Sequence, residues 1–160
     1  MTSKPMFSLV IPCFNEEGNI EKLIHRCKSI FPEKDFEIIF VENGSTDNSL
    51  DLFEKKLRNI PNFKLLKIKK NLGIGNGIHE GLKASKGSII GWTHGDLQAD
   101  PLDARKAFNL SKSLEGNFLI KGKRLSKNRS IIELFFTYGL ALFESILFCK
   151  KFWEVNAQPN

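Results

Sequence analysis

His94-Gly95-Asp96-Leu97-Gln98 sets an imidazole, a carboxylate and a carboxamide in close succession, directly after the apolar run Ser88 to Trp92 (SIIGW). In an open α/β sheet, ligands collect just beyond the carboxyl ends of such strands, so Asp96 is expected to project into a crevice there. Hard divalent cations take oxygen ligands, and an imidazole tilts the balance toward manganese over magnesium. Asp96, His94 and Gln98 are therefore the candidate metal ligands, with Mn2+ or Mg2+ as cofactor, and a cation held there would neutralise a diphosphate. Acidic loops are common, so the position of this one after a strand carries the argument.

Three further segments fall at comparable places. Ile11-Pro12-Cys13-Phe14-Asn15-Glu16-Glu17 ends a first apolar run; backbone groups at Pro12 and Cys13 could meet a nucleobase edge, and Glu16 a base or ribose. Plain helix-start chemistry also accounts for its acids. In Glu42-Asn43-Gly44-Ser45-Thr46-Asp47, Glu42 or the Asn43 side-chain oxygen could accept a hydrogen bond from a base N–H or a ribose hydroxyl, and turn chemistry explains the stretch almost as well. Gly73, Gly75 and Gly77 form GxGxG rather than GxGxxG and follow the third strand, which disfavours a nicotinamide or flavin enzyme. Their simpler part is to let a helix N-terminus approach a diphosphate or a neighbouring strand. Gly122-Lys123-Arg124 follows the fifth expected strand, so its cations could reach phosphate oxygens, Arg124 by a bidentate fork, and a solvated basic face is the competing reading.

The elements that must position these residues alternate. Strands are predicted over Phe7 to Pro12, Phe36 to Val41, Phe63 to Ile68, Ser88 to Trp92 and Asn117 to Ile120. Helices are predicted over Glu16 to Ile30, around Leu50, Phe53 and Leu57 with Ser45 or Thr46 as cap, over Gly75 to Ser85, and from Asp100-Pro101 onward. The alternation implies an α/β fold, a mostly parallel sheet with helices on both faces.

The 160 residues fit one domain with a real core. A net charge of +6 favours anionic partners: phosphates, acidic lipid head groups or nucleic acid. Nucleic acid is the weaker candidate, because the basic cluster Lys121, Lys123, Arg124, Lys127 and Arg129 has no interleaved aromatics to stack bases. Three widely spaced cysteines without a CxxC pattern suit reduced cytosolic thiols, and the apolar run near the N-terminus is too short for a signal peptide.

Residues 1–122 read as the phosphate-site core, and residues 123–160 as a basic loop followed by the apolar stretch Ile131 to Cys149. Glu133 and Glu144 would each cost about 2.5–3.5 kcal/mol at mid-membrane. With Thr137 they share one polar stripe at helical spacing, which suits a membrane-interface helix flanked by cations; a buried core helix is the competing reading.

Taken together, SLVIPCFNEEGNI, VENGSTDNS, NLGIGNGIHEGL and GWTHGDLQADP resemble the family 2 glycosyltransferases, in particular the branch of dolichol- and polyprenyl-phosphate sugar synthases. The resemblance implies a GT-A fold, a nucleoside-diphosphate sugar donor (UDP or GDP), a divalent metal, inversion at the anomeric carbon, and a polyprenyl-phosphate acceptor met at the cytosolic face of the membrane. By position, Pro12, Phe14 and Glu16 match the nucleotide-side loop. Glu42 and Asn43 stand where the family usually has Asp-Asp. Asp96 matches the second carboxylate of the DxD motif, Gln98 the glutamine after it, and Arg124 the GxR arginine; Asn156-Ala157-Gln158-Pro159 looks like the start of an acceptor-side loop. The catalytic set implied is Asp96, Gln98 and Arg124. His94 departs from the pattern, standing where the first DxD carboxylate is usual, and the family continues beyond the position of Asn160, which implies a truncated member. Two alternatives stay open: a catalytically weak nucleotide-sugar or lipid-binding partner subunit, and a nucleotidyltransferase that releases pyrophosphate.

Overall fold

A computed structural model describes residues 4–122, 138–139, 142–143 and 145–147. The chain divides into two compact units, Met1–Phe118 and Leu119–Asn160.

In the first unit the order is β1 (Phe7–Cys13), α1 (Ile20–Ile30), β2 (Phe36–Glu42), α2 (Ser49–Leu57), β3 (Phe63–Lys67), α3 (Ile74–Ala84), β4 (Ile89–Trp92) and α4 (Pro101–Ser111). The strands form one parallel sheet in the order β3-β2-β1-β4. β1 and β2 are buried along their whole length, as continuous apolar runs in the middle of a covered parallel sheet should be. The sheet separates two cores. On one face Leu9, Ile11, Ile38 and Phe40 pack with Leu23 and Ile24 of α1, Phe53 of α2 and Phe108 of α4. On the other, Val10, Ile39 and Val41 meet Ala84 of α3. α3 lies close to the sheet because Gly81 faces it: a Cβ there would stand 2.3 Å from Val10 Cγ1. Much of the phenylalanine in the composition goes into the larger core, where the rings of Phe7, Phe31, Phe36 and Phe108 pack in stacked, tilted and edge-on pairs with centroids 5.1–6.2 Å apart.

The two edges of the sheet differ. β3 exposes Lys64 and Lys67, charges that discourage further strand pairing. β4 exposes Ile90 and Trp92 instead.

At the amino ends of the strands, opposite the chemistry-bearing loops, the Glu37 carboxylate is buried. It accepts from the Ser8 hydroxyl, from the Lys86 amide at 2.9 Å and from the Lys64 ammonium. Gly87 N–H in turn donates to Ser8 Oγ at 2.8 Å. This network ties the start of β4 to β1 and β2.

Three sequence expectations are corrected. The first helix begins at Ile20 rather than Glu16, since the Glu16 and Glu17 amides go to the Ser49 and Asp47 side chains and Asn19 N–H closes a turn on Glu16 O at 2.8 Å. Ser45 and Thr46 do not cap α2, which begins at Ser49 after Asn48. Ser45 Oγ accepts from Asn15 N–H at 3.1 Å instead, and Thr46 N–H donates to Asn15 Oδ1 at 2.8 Å. No strand forms over Asn117 to Ile120: Leu119 is 91% exposed, and no described strand pairs with this stretch to satisfy its backbone. The fourth helix starts where expected, Asp100 accepting from Leu102 N–H at 2.9 Å with Pro101 at the first position.

In the second unit Tyr138, Gly139, Leu142, Phe143 and Ser145 to Leu147 are helical. Tyr138, Leu142, Phe143, Ile146 and Leu147 are all exposed. Among the described residues no helix is long and apolar enough to cross a membrane. The rest of the Ile131 to Cys149 stretch, together with Lys123, Arg124 and Asn156 to Pro159, lies outside the described residues.

Candidate active site

The carboxyl ends of β1, β2 and β4 and the start of α3 enclose a cavity of about 260 Å³. It is lined by Pro12, Cys13, Phe14 and Glu16 after β1, by Asn43 after β2, by Asn71, Gly73 and Ile74 at the start of α3, and by His94, Gly95 and Asp96 after β4. Two larger clefts lie elsewhere: one of about 490 Å³ along α1, between side chains such as Glu21, Arg26 and Asp100, and one of about 590 Å³ between the turn before α1 and α2, lined by residues such as Glu17, Asn48 and Lys55. Neither is lined by Asn43, His94 or Asp96.

The first two loops are clamped to each other. Asn15, in the left-handed region at φ 55°, joins Ser45 and Thr46 as described, and Glu16 N–H donates to Ser49 Oγ at 2.9 Å. Glu17 N–H donates to Asp47 Oδ2 at 3.1 Å, and Asn48 N–H to Glu17 Oε2 at 3.0 Å. This lattice leaves Phe14 and Glu16 at the cavity.

Asn43 is fixed more tightly. Its backbone N–H donates to Cys13 O at 2.9 Å and its side-chain Nδ2 to Gly73 O at 3.2 Å, while its buried Oδ1 has no partner. The amide is thereby oriented with an acceptor unsatisfied, a state that costs free energy until a donor arrives. Gly73 can serve this arrangement because its φ of 95° suits glycine; its N–H donates to Asn71 Oδ1 at 2.7 Å before α3 begins.

After β4, Thr93 N–H donates to Val10 O at 3.0 Å and holds the loop to the sheet. His94 packs edge-on against Trp92 at 5.2 Å, and its buried Nε2 has no partner. Asp96 Oδ1 accepts from Gln98 N–H at 2.9 Å.

Cys13 at the cavity wall is a poor nucleophile. Burial, reinforced by the nearby Glu16, Cys27, Glu42 and Asp96, pushes its thiol well above the ordinary range. Its bulk matters instead, since a Cβ on Gly95 would stand 2.4 Å from Cys13 Sγ and 3.0 Å from Pro12 O. Gly95→Ala is therefore expected to displace the loop and lower stability by about 1–3 kcal/mol, the scale of overpacking. Adding Cys13→Ala should recover part of that loss in denaturant unfolding, and a double variant no better than the single one would contradict the contact.

Of the residues expected from sequence, Pro12, Phe14, Glu16, Asn43, Gly73, His94 and Asp96 share this one cavity. Glu42 does not line it: buried, it accepts from Ser45 N–H at 2.6 Å within its own turn. Gln98 is exposed and meets Asp96 through its backbone, not its side chain. Arg124 lies outside the described residues. Asn71, Ile74 and Gly95 are additions. Asn71 was legible as a turn former two residues before a glycine, whereas Gly95 shows its importance only through the packed thiol.

The family model described as glycosyl transferase family 2 matches residues 8–130. The chain belongs to that family. A dodecaprenyl-phosphate galacturonate synthase of Rhizobium johnstonii is 33% identical over 100 residues, 60% of this chain and 29% of the relative. A dolichyl-phosphate beta-glucosyltransferase of Dictyostelium discoideum is 25% identical over 162 residues, 90% of this chain and 49% of the relative. Among solved structures, Staphylococcus aureus TarS bound to UDP-GlcNAc superposes with a TM-score of 0.57 at 27% identity, over 66% of this chain and 31% of that one. A mannosyltransferase of Pyrobaculum calidifontis, solved with GDP-Man and Mn2+, superposes with a TM-score of 0.57 at 20% identity, over 69% of this chain and 33% of that one, and speaks for the GT-A fold alone. The family 2 chain spans about a third of the length of the first curated relatives it matches.

Proposed function

We propose that the cavity binds the nucleoside diphosphate of a sugar donor, UDP- or GDP-linked, and that the sugar passes with inversion to a polyprenyl phosphate presented at the cytosolic face of a membrane. The observation that carries this reading is the meeting, in one cavity, of an oriented, unsatisfied Asn43 acceptor with the Asp96 carboxylate and the unsatisfied His94 Nε2. The acceptor suits a base N–H or a ribose hydroxyl; the other pair suits the diphosphate end. The polyprenyl-phosphate acceptor is supported by what two of the relatives are named for.

Among the described residues no group of three or more His, Cys, Asp or Glu side chains is arranged to hold a metal ion. A carboxylate that lines the same cavity as a histidine with an unpartnered, buried ring nitrogen fits a Mn2+ or Mg2+ whose remaining ligands are phosphate oxygens and water, the usual habit of such ions at nucleotide sites. Asp96 and His94 would hold it, with Gln98 beside them, and when bound it supplies charge neutralisation for the leaving diphosphate. Arg124, with Lys123, would hold donor or acceptor phosphate. A phosphate monoester is largely ionised near neutral pH, so this acceptor reaches the anomeric carbon without a protein base, whereas a hydroxyl acceptor would require one.

The purified chain incubated with radiolabelled UDP- or GDP-sugars and polyprenyl phosphate in detergent should form labelled lipid. A second reading, a donor-binding partner subunit with little turnover, draws on His94 in place of a carboxylate. Donor binding without label transfer would favour it, and label transfer would exclude it.

A further inference from the structure

Leu97 takes φ 61°, a left-handed conformation that suits glycine and is tolerated by asparagine but resisted by other L-residues. The only other described non-glycine residue with positive φ is Asn15, on the facing loop. Leu97 sits between Asp96, which lines the cavity, and Gln98, whose N–H bonds back to Asp96 Oδ1 across it. The chain is pinned on both sides of this reversal. Upstream, Thr93 is bonded to β1 and Gly95 rests on Cys13. Downstream, Ala99 is buried and the Asp100 carboxylate takes a fork from Arg26 of α1, at 3.0 and 2.6 Å, while capping α4. Between the pins the Leu97 side chain packs against the main core.

We infer that Leu97 is a positioning residue: its packing on the core holds an unfavourable left-handed backbone, and that backbone keeps the Asp96 carboxylate over the cavity. Local preference would return the chain to an ordinary conformation and swing Asp96 away, so a side chain that touches no ligand sets the geometry of one that does. The inference rests on the proposed donor site for its consequence, not for its structural content.

Four variants separate this role from ordinary core packing. Leu97→Met keeps the apolar contact and should bind UDP with Mn2+ within about threefold of the wild type. Leu97→Ala loses the contact and keeps the left-handed penalty, and should bind at least about tenfold more weakly. Leu97→Gly loses the same contact but adopts the conformation freely, so it should bind better than alanine. A role in packing alone predicts the reverse, because glycine adds chain entropy to the same lost contact. Glycine at or below alanine in calorimetric titration would overturn the inference. If alanine does not fold, Leu97→Val takes its place, as a β-branched residue that keeps apolar contact while resisting φ > 0; valine binding as well as methionine would equally overturn it.

Hydrogen exchange at the Gln98 amide gives a second readout, independent of nucleotide. Protection should fall in the order Leu and Met, then Gly, then Ala. If the wild-type chain binds neither UDP nor GDP, the donor-site reading fails and this exchange order decides the role of Leu97 by itself, a flat or inverted order contradicting it.

Discussion

Asp96→Ala is expected to lower sugar transfer by at least about 10²-fold, the scale seen when one preorganised electrostatic contact to developing charge is removed. Asp96 supplies the carboxylate of the His94–Asp96 pair on the cavity, so its loss should also remove the effect of Mn2+ on nucleotide binding. Asp96→Asn is the sharper variant. It retains an oxygen to accept from Gln98 N–H, now at 2.9 Å, and so leaves the turn and the melting temperature close to wild type while removing the charge. Steady-state transfer measured on both variants checks this, and undiminished turnover in Asp96→Asn would remove Asp96 from the reaction.

Glu37→Ala should produce the largest loss of stability among the substitutions considered, about 2–6 kcal/mol by denaturant unfolding. The estimate comes from two donors, the Ser8 hydroxyl and the Lys86 amide, each costing about 1–3 kcal/mol when left unsatisfied. Lys64 adds little, because its side chain is 45% exposed and regains water. The pH dependence has a definite sign. Burial by itself would raise the Glu37 carboxyl, but hydrogen bonds from Lys64, Ser8 and the Lys86 backbone, with the Lys64 charge, hold it below its ordinary value of 4.5. A carboxyl depressed in the folded state contributes its full stability above that ordinary value and loses it as pH falls through the folded-state value. Wild-type stability should therefore decline more steeply in acid than that of Glu37→Gln, which has no such proton to gain. Parallel acid profiles for the two proteins would show that the buried carboxylate contributes nothing through its charge.

Much of the arrangement was legible because the central strands are apolar on both faces and each ends in polar, turn-forming residues. Phe7 to Pro12 and Phe36 to Val41 read as buried strands and are buried strands, each one residue longer than expected. Asp100-Pro101 marked the start of α4 because cap and first-turn proline are local chemistry. The failures are of the opposite kind. Ser45 and Thr46 carry good capping side chains, but the loop after β1 takes them, and that contact links residues thirty positions apart. Asn117 to Ile120 has strand-forming residues without a described neighbour to pair with, and a strand exists only as part of a ladder. At the site, residue type pointed to Asp96, His94 and Asn43. It could not distinguish Glu42, held in its own turn, from Asn43, whose acceptor is unsatisfied. Leu97 looked like a spacer between two functional residues; only its backbone dihedral and its place on the core set it apart.

Calorimetric titration of the purified chain with UDP and with GDP, in the presence and absence of Mn2+, tests the donor site most directly. One nucleotide should bind with an affinity that Mn2+ raises at least about tenfold, and Asp96→Asn should abolish that increase while leaving the fold intact. Binding of neither nucleotide under either condition, by a chain that melts cooperatively, would contradict the assignment of this cavity to a nucleoside diphosphate.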